Sequence, residues 1–126
     1  MKSIEHDEQK RLVEWWAEFS ALHGLPVIAL FAIPNGGERN VIVATRMKSE
    51  GVRRGVPDLF LALPKGCYHG LFIELKKPSG GKVSEHQKKY IKYLNSQNYF
   101  AIVCHGFNEA KQTICSYLSE KRTTLF

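Results

Sequence analysis

Two apolar runs joined by a turn constrain the fold of this 126-residue chain most strongly. The first, Leu59-Phe60-Leu61-Ala62-Leu63, is short and continuous like a buried strand, and Pro64-Lys65-Gly66 marks a turn after it. The second, Leu71-Phe72-Ile73-Glu74-Leu75-Lys76, alternates so that Glu74 and Lys76 share one face of a strand. The pattern predicts a β-hairpin in a central sheet, with charged side chains where burial makes charge expensive.

Acidic residues fall where the two predicted strands would meet. Asp58 directly precedes the first run, and the hairpin would bring it beside Glu74 on the neighbouring strand. Two carboxylates are hard oxygen ligands of the kind that Mg²⁺ prefers, and Mg²⁺ keeps several of its waters. A bound divalent cation neutralises a phosphodiester anion and lowers the pKa of a water molecule, while Lys76 would contact that water or the phosphate. The alternative is that Asp58 caps a turn and that Glu74 and Lys76 form a solvated strand face.

The ordered motifs around these residues are similar to those of a known nuclease family. Val52-Arg53-Arg54-Gly55-Val56-Pro57-Asp58 with Glu74-Leu75-Lys76 resembles the VRR-NUC family, the virus-type replication-repair nucleases of the PD-(D/E)xK superfamily. An acid-rich first helix, Ile33-Pro34-Asn35-Gly36-Gly37 with Arg39, and Gln87 after the lysine also fit that family. The resemblance runs from about Glu5 to Leu118. Residues 1–126 are therefore expected to form a single stand-alone domain of the phage or bacterial type, with a loose tail at 119–126.

The resemblance implies an α/β, restriction-endonuclease-like core and a Mg²⁺ or Mn²⁺ cofactor, with no organic cofactor. The residues it assigns to catalysis are Glu8, Asp58, Glu74, Lys76 and Gln87. The metal ligands would be Asp58, Glu74 and the backbone carbonyl of Leu75. Glu5 is the substitute for Glu8 as the first-helix acid, and both acids could instead complement the positive end of the helix dipole. By local physics Gln87 also completes a capping box with Ser84, a role compatible with a place in the site.

A basic cluster just before Asp58 predicts contacts to DNA phosphates near the mouth of the site. Together with the turn residues of the family motif, the predicted DNA-binding set is Asn35, Arg39, Arg46, Lys48, Arg53 and Arg54. A solvated surface is the alternative for these basic side chains. The formal net charge of +6 and the pI near 9.3 favour a polyanionic partner, although they could serve solubility alone.

Stand-alone members of the resembled family cut branched DNA, notably four-way (Holliday) junctions, as homodimers. The resemblance therefore implies a structure-selective endodeoxyribonuclease that acts as a homodimer. The alternatives are a nick-, flap- or restriction-type nuclease of the same fold and a catalytically silent DNA-binding module. Three cysteines without C-x-x-C spacing indicate a reducing compartment, and no apolar run approaches the length of a membrane span. A cytoplasmic location is expected, in a bacterial host if the protein is viral.

Periodicity and turn signals predict the remaining elements. The expected order is a helix over 4–23, a strand over 27–33, a helix ending at Gly51, strands over 59–63 and 71–76, a helix over 84–97, a strand over 99–104 and a helix capped by Asn108 and ending near 118. These elements predict a mixed four-stranded sheet flanked by helices, whose last strand is reached by a right-handed helical crossover.

Overall fold

The computed structural model describes residues 4–34 and 41–119, with the side chains of residues 41–44 excepted. Its elements, in chain order, are α1 (Ile4–Leu22), a 3₁₀ turn (Val27–Ala29), β1 (Leu30–Ala32), α2 (Val41–Ser49), β2 (Leu59–Leu61), β3 (Leu71–Lys76), α3 (Glu85–Ser96), β4 (Phe100–His105) and α4 (Gly106–Leu118). Within these ranges no helix has both the length and the apolar composition needed to cross a membrane.

The four strands form one mixed sheet in the order β1-β2-β3-β4. β1 pairs antiparallel with β2 and β2 antiparallel with β3, and Leu59 lies opposite Ile73 in the predicted hairpin. β4 pairs parallel with β3 and follows it through α3, because a parallel neighbour needs a crossover connection. The α/β fold with a mixed sheet and flanking helices is thereby confirmed.

One face of the sheet forms the hydrophobic core with α1 and α4. Leu71, Ile73 and Leu75 of β3 are almost completely buried there, and Leu12, Trp16, Ala110 and Ile114 belong to the same cluster. Fully burying one such large apolar side chain stabilises a fold by about 1.5–3 kcal/mol. β3 therefore turns its intervening residues, which include the charged ones, to the opposite face of the sheet.

Two predicted elements start more than one residue away from the predicted position. The predicted strand over 27–33 is a strand only at Leu30–Ala32, because residues 27–29 form a 3₁₀ turn in which the Ala29 amide donates to the carbonyl of Pro26 at 3.1 Å. The last helix begins at Gly106, so the prediction that Asn108 caps it is wrong. A carboxylate from α1 accepts the hydrogen bond of a first-turn amide of α4, and such a tertiary cap has no local sequence signal.

Candidate active site

Asp58 and Glu74 meet at the base of the hairpin. Asp58 directly precedes β2, and the antiparallel register places Glu74 of β3 on the neighbouring strand. The Ile33 amide donates to the Asp58 carbonyl at 2.7 Å, and the Leu75 amide donates to Oδ2 of Asp58 at 2.8 Å. Asp58 is thus held by the strands on both sides of it, as the hairpin prediction requires.

Glu74 is a buried carboxylate with one satisfied and one unsatisfied oxygen. The residue is 2% exposed, and its Oε2 accepts a hydrogen bond from Nε2 of Gln87 at 2.9 Å and lies 3.4 Å from Nζ of Lys76. Its Oε1 is buried without a hydrogen-bond partner among the described residues. An unsatisfied buried oxygen costs free energy, so this atom marks a position where a further group is needed.

Both acids resist ionisation in this environment. Burial, followed by the nearby Asp58, raises the pKa of Glu74 from its ordinary value of 4.5 to about 8, although Lys76 acts in the opposite direction. Burial also raises the pKa of Asp58, and the charge of Glu5 adds to that effect. A positive ion between the two carboxyl groups would reverse both shifts, because an opposite charge favours the ionised form.

The two acids lie in a cleft of about 590 Å³. Lys76 and Gln87 line it beside them, and α1 contributes Glu5, His6 and Gln9 to its wall. His6 and His86 also line the cleft, and the sequence analysis did not place them in the site. Their only sequence signal is proximity, since His6 follows Glu5 and His86 precedes Gln87.

The loop before Asp58 packs against the first turn of α3. Gly55 has a φ of +88°, and a Cβ atom at this position would lie 2.4 Å from the carbonyl oxygen of His86. Only glycine therefore permits this approach of the two backbones. The contact joins the segment that carries Asp58 to the helix end that carries Gln87.

Gln87 has both of the roles that the sequence suggested for its position. Its side-chain Oε1 accepts from the Ser84 amide at 2.9 Å, and its own amide donates to Oγ of Ser84 at 3.2 Å, which completes the predicted capping box. Its Nε2 remains available to donate to Glu74. Because the cap fixes the Gln87 side chain, α3 orients the Glu74 carboxylate through it.

The structure brings Glu5, and not Glu8, to the cleft. Oε1 of Glu8 accepts from the Phe107 amide at 3.1 Å, and its Oε2 pairs with Arg11 at 3.2 Å. Glu8 therefore caps α4 from outside that helix and does not line the cleft, whereas Glu5 does. Glu5 and Glu8 are three positions apart and neighbours on the surface of α1, yet Glu5 lines the cleft and Glu8 binds the start of α4.

The other predicted site residues have four different placements. Arg54 lines the cleft, and Arg46, Lys48 and Arg53 are exposed outside it. Asn35 and Arg39 lie outside the described residues. Leu75 follows Glu74 on β3 and its amide donates to Asp58, and the use of its carbonyl as a metal ligand stays a prediction.

The donor set suits a hard divalent cation. No group of three or more His, Cys, Asp or Glu side chains within 4–34 and 41–119 is arranged to hold a metal ion. The half-buried Asp58 and the buried Glu74, whose Oε1 has no partner within the described part of the chain, nevertheless fit a cation that takes one or two carboxylates and keeps several waters.

The fold and the cleft define a class of protein. A mixed sheet in which an aspartate precedes one strand and a Glu-x-Lys ends the next is the core of a nuclease of the PD-(D/E)xK type. The family model of the VRR-NUC domain matches residues 3–108. A solved structure described as a VRR_NUC domain protein has a TM-score of 0.82 and 27% sequence identity, with 97% of this chain and 93% of that chain covered. A comparison with curated proteins gives no match. The chain belongs to the VRR-NUC family, and this membership implies a nuclease.

Proposed function

We propose that this domain is a Mg²⁺- or Mn²⁺-dependent endonuclease that hydrolyses phosphodiester bonds in DNA at Asp58, Glu74 and Lys76. The observation that carries the proposal is the buried Oε1 of Glu74, which has no hydrogen-bond partner in residues 4–34 and 41–119 and lies beside the carboxylate of Asp58. The other oxygen of Glu74, Oε2, lies 3.4 Å from Nζ of Lys76. A buried carboxylate next to a second acid costs stability unless a cation joins them, so selection for function is the simplest explanation of the arrangement.

The residues have distinct roles in this proposal. Asp58 and Glu74 hold the cation, with the Leu75 carbonyl as a third ligand. When bound, the cation neutralises the scissile phosphate and favours deprotonation of a water molecule. Lys76 orients the attacking water or the phosphate, and Gln87 holds the Glu74 carboxylate in place. Glu5 takes the role first assigned to Glu8, as an acid on the cleft wall that orients water.

Branched DNA, and four-way junctions in particular, is the proposed substrate of a homodimer. Family resemblance supports this choice, since two sites in one dimer would make two cuts. The net charge of +6 and the position of Arg54 at the cleft favour a polyanion. Arg46, Lys48 and Arg53 are exposed and free of the cleft wall, so they suit contacts to flanking phosphates.

Cleavage of a labelled four-way junction, beside a linear duplex of the same sequence, tests the proposal. Each substrate is incubated with Mg²⁺, Mn²⁺ or EDTA, and Asp58→Asn is compared with wild type. Glu85→Gln is the matched control, because Glu85 is an acid at an exposed position of α3. Symmetric cutting of the junction that needs metal and Asp58 supports the whole proposal. Equal cutting of both substrates refutes the junction preference, and the absence of cutting in either metal refutes the nuclease activity.

A further inference from the structure

Three phenylalanines lie side by side across β1, β2 and β3. Phe31 pairs with Phe60, and Phe60 pairs with Phe72, so their side chains share one face of the sheet. The ring centroids of Phe31 and Phe60 are 5.6 Å apart, and those of Phe60 and Phe72 are 4.3 Å apart. We call these three residues the aromatic row.

The aromatic row lies on the same face of the sheet as the carboxylates. Phe60 is two positions from Asp58, and Phe72 is two positions from Glu74, so alternation turns each pair to the same side. Successive positions on one face of a strand are about 7 Å apart. A nucleotide bound at the carboxylates therefore has its neighbour within reach of the row.

The middle of the row is held rigidly. A Cβ atom at Gly70 would lie 2.6 Å from Cε1 and Cζ of Phe60, so the ring of Phe60 rests directly on the backbone of that glycine. Tyr99 also supports the row, with its ring centroid 5.4 Å from that of Phe72 and 6.1 Å from that of Phe60. A fixed aromatic surface loses little conformational entropy when a planar group stacks on it.

The outer end of the row is open. Phe31 is 46% exposed, whereas Leu30 beside it is buried in the core. Ile33, two positions along the chain from Phe31, lines the cleft, so the open ring and the cleft are continuous on one edge of the sheet. An exposed aromatic ring beside a site for phosphodiesters has the chemistry that stacks on nucleobases, since every base presents a π-face.

We propose that Phe31, supported by Phe60 and Phe72, is a stacking platform for an unpaired nucleobase next to the scissile phosphate. A base inside an intact duplex is already stacked on both sides, whereas a base at a branch point or in a single-stranded arm is free to turn onto the ring. The platform rests on the proposed nuclease function, and the feature of the DNA that the site would select is an unstacked base.

The test measures binding without cleavage. The probe is a duplex with one single-stranded arm that carries 2-aminopurine at its first unpaired position, since the fluorescence of 2-aminopurine falls when it stacks on an aromatic ring. Titration in EDTA gives both the affinity and the quenching. The variants are Phe31→Ala, Phe31→Leu and Phe31→Tyr, of which the leucine keeps apolar volume without a π-face and the tyrosine keeps the ring.

Stacking on Phe31 predicts that the alanine and leucine variants lose about 5- to 150-fold in affinity for the probe, together with the quenching. The tyrosine variant should stay within about twofold of wild type. Wild-type affinity and quenching in Phe31→Leu would overturn the proposal. A second refuting result would be a wild-type dimer in sedimentation that Phe31→Ala dissociates although the alanine variant still quenches the probe. The face that carries Phe31 would then bind a second copy of this chain. If Phe31→Ala does not fold, the leucine and tyrosine variants still decide the question. Absence of cleavage in any metal would refute the nuclease function alone and leave this binding result unaffected.

Discussion

Replacement of Glu74 by glutamine should remove a stability cost that grows with pH when no metal is present. A carboxyl group with a raised pKa in the folded state binds more protons when folded than when unfolded. Its contribution to stability is therefore complete below its ordinary pKa of 4.5 and is lost as the pH rises to about 8. At about 1.4 kcal/mol per pKa unit, the full loss is about 5 kcal/mol, of which about 3 kcal/mol falls above pH 5.5. Glutamine has nearly the same shape and cannot ionise, so the variant escapes this loss.

Urea unfolding in EDTA at about pH 5.5 and about pH 8.5 measures the difference. We expect the free energy of unfolding of wild type, relative to Glu74→Gln, to fall by about 3 kcal/mol between the two conditions. Glu85→Gln is the control, because the Glu85 side chain is 84% exposed and its replacement should leave the profile parallel to that of wild type. Mg²⁺ should restore stability to wild type at the higher pH and not to Glu74→Gln. If the free energies of unfolding of wild type and Glu74→Gln changed in parallel with pH, ionisation of Glu74 would carry no stability cost and the reasoning would be refuted.

Four further substitutions test other contacts of the site. Gly55→Ala should destabilise the fold by about 2 kcal/mol or more in urea, because its Cβ would meet the backbone of His86 at 2.4 Å. Gln87→Leu should cost about 2 kcal/mol through the lost capping box and the lost bond to the buried carboxylate, and it should also lower the cleavage rate. Glu8→Gln should lower the free energy of unfolding by about 1 kcal/mol and leave the cleavage rate intact, because Glu8 caps α4. Glu5→Gln should keep stability and lower the cleavage rate of a junction about tenfold, because Glu5 lines the cleft. A cleavage defect in the Glu8 variant alone would reverse the assignment of the two acids.

The central part of the site was predictable because its geometry is local. Alternation along β3 puts Glu74 and Lys76 on one side, and a single hairpin then sets the position of Asp58. The capping box of Ser84 and Gln87 is also a local pattern, and the structure confirms it.

The choice between Glu5 and Glu8 depended on contacts between distant segments. The apolar stripe of α1, with Leu12 and Trp16, extends backwards onto both acids, and the resemblance gave Glu8 as the first choice with Glu5 as its substitute. Glu8 does point towards the body of the protein, but the group it meets there is the start of α4, almost a hundred residues away in the chain. For the same reason the prediction of a cap at Asn108 failed. A helix end that a distant side chain caps cannot be recognised from its own sequence.

Binding of Mn²⁺ to the metal-free protein, followed by electron paramagnetic resonance, tests the central claim most directly. If Asp58 and Glu74 form a cation site, wild type should bind Mn²⁺ in a titration at neutral pH, Mg²⁺ should compete, and Glu74→Gln should bind at least about tenfold more weakly. Glu8→Gln should bind as wild type does, because its carboxylate caps α4. Equal binding by wild type and Glu74→Gln would contradict the account, since the Glu74 carboxylate would then have no part in holding the metal.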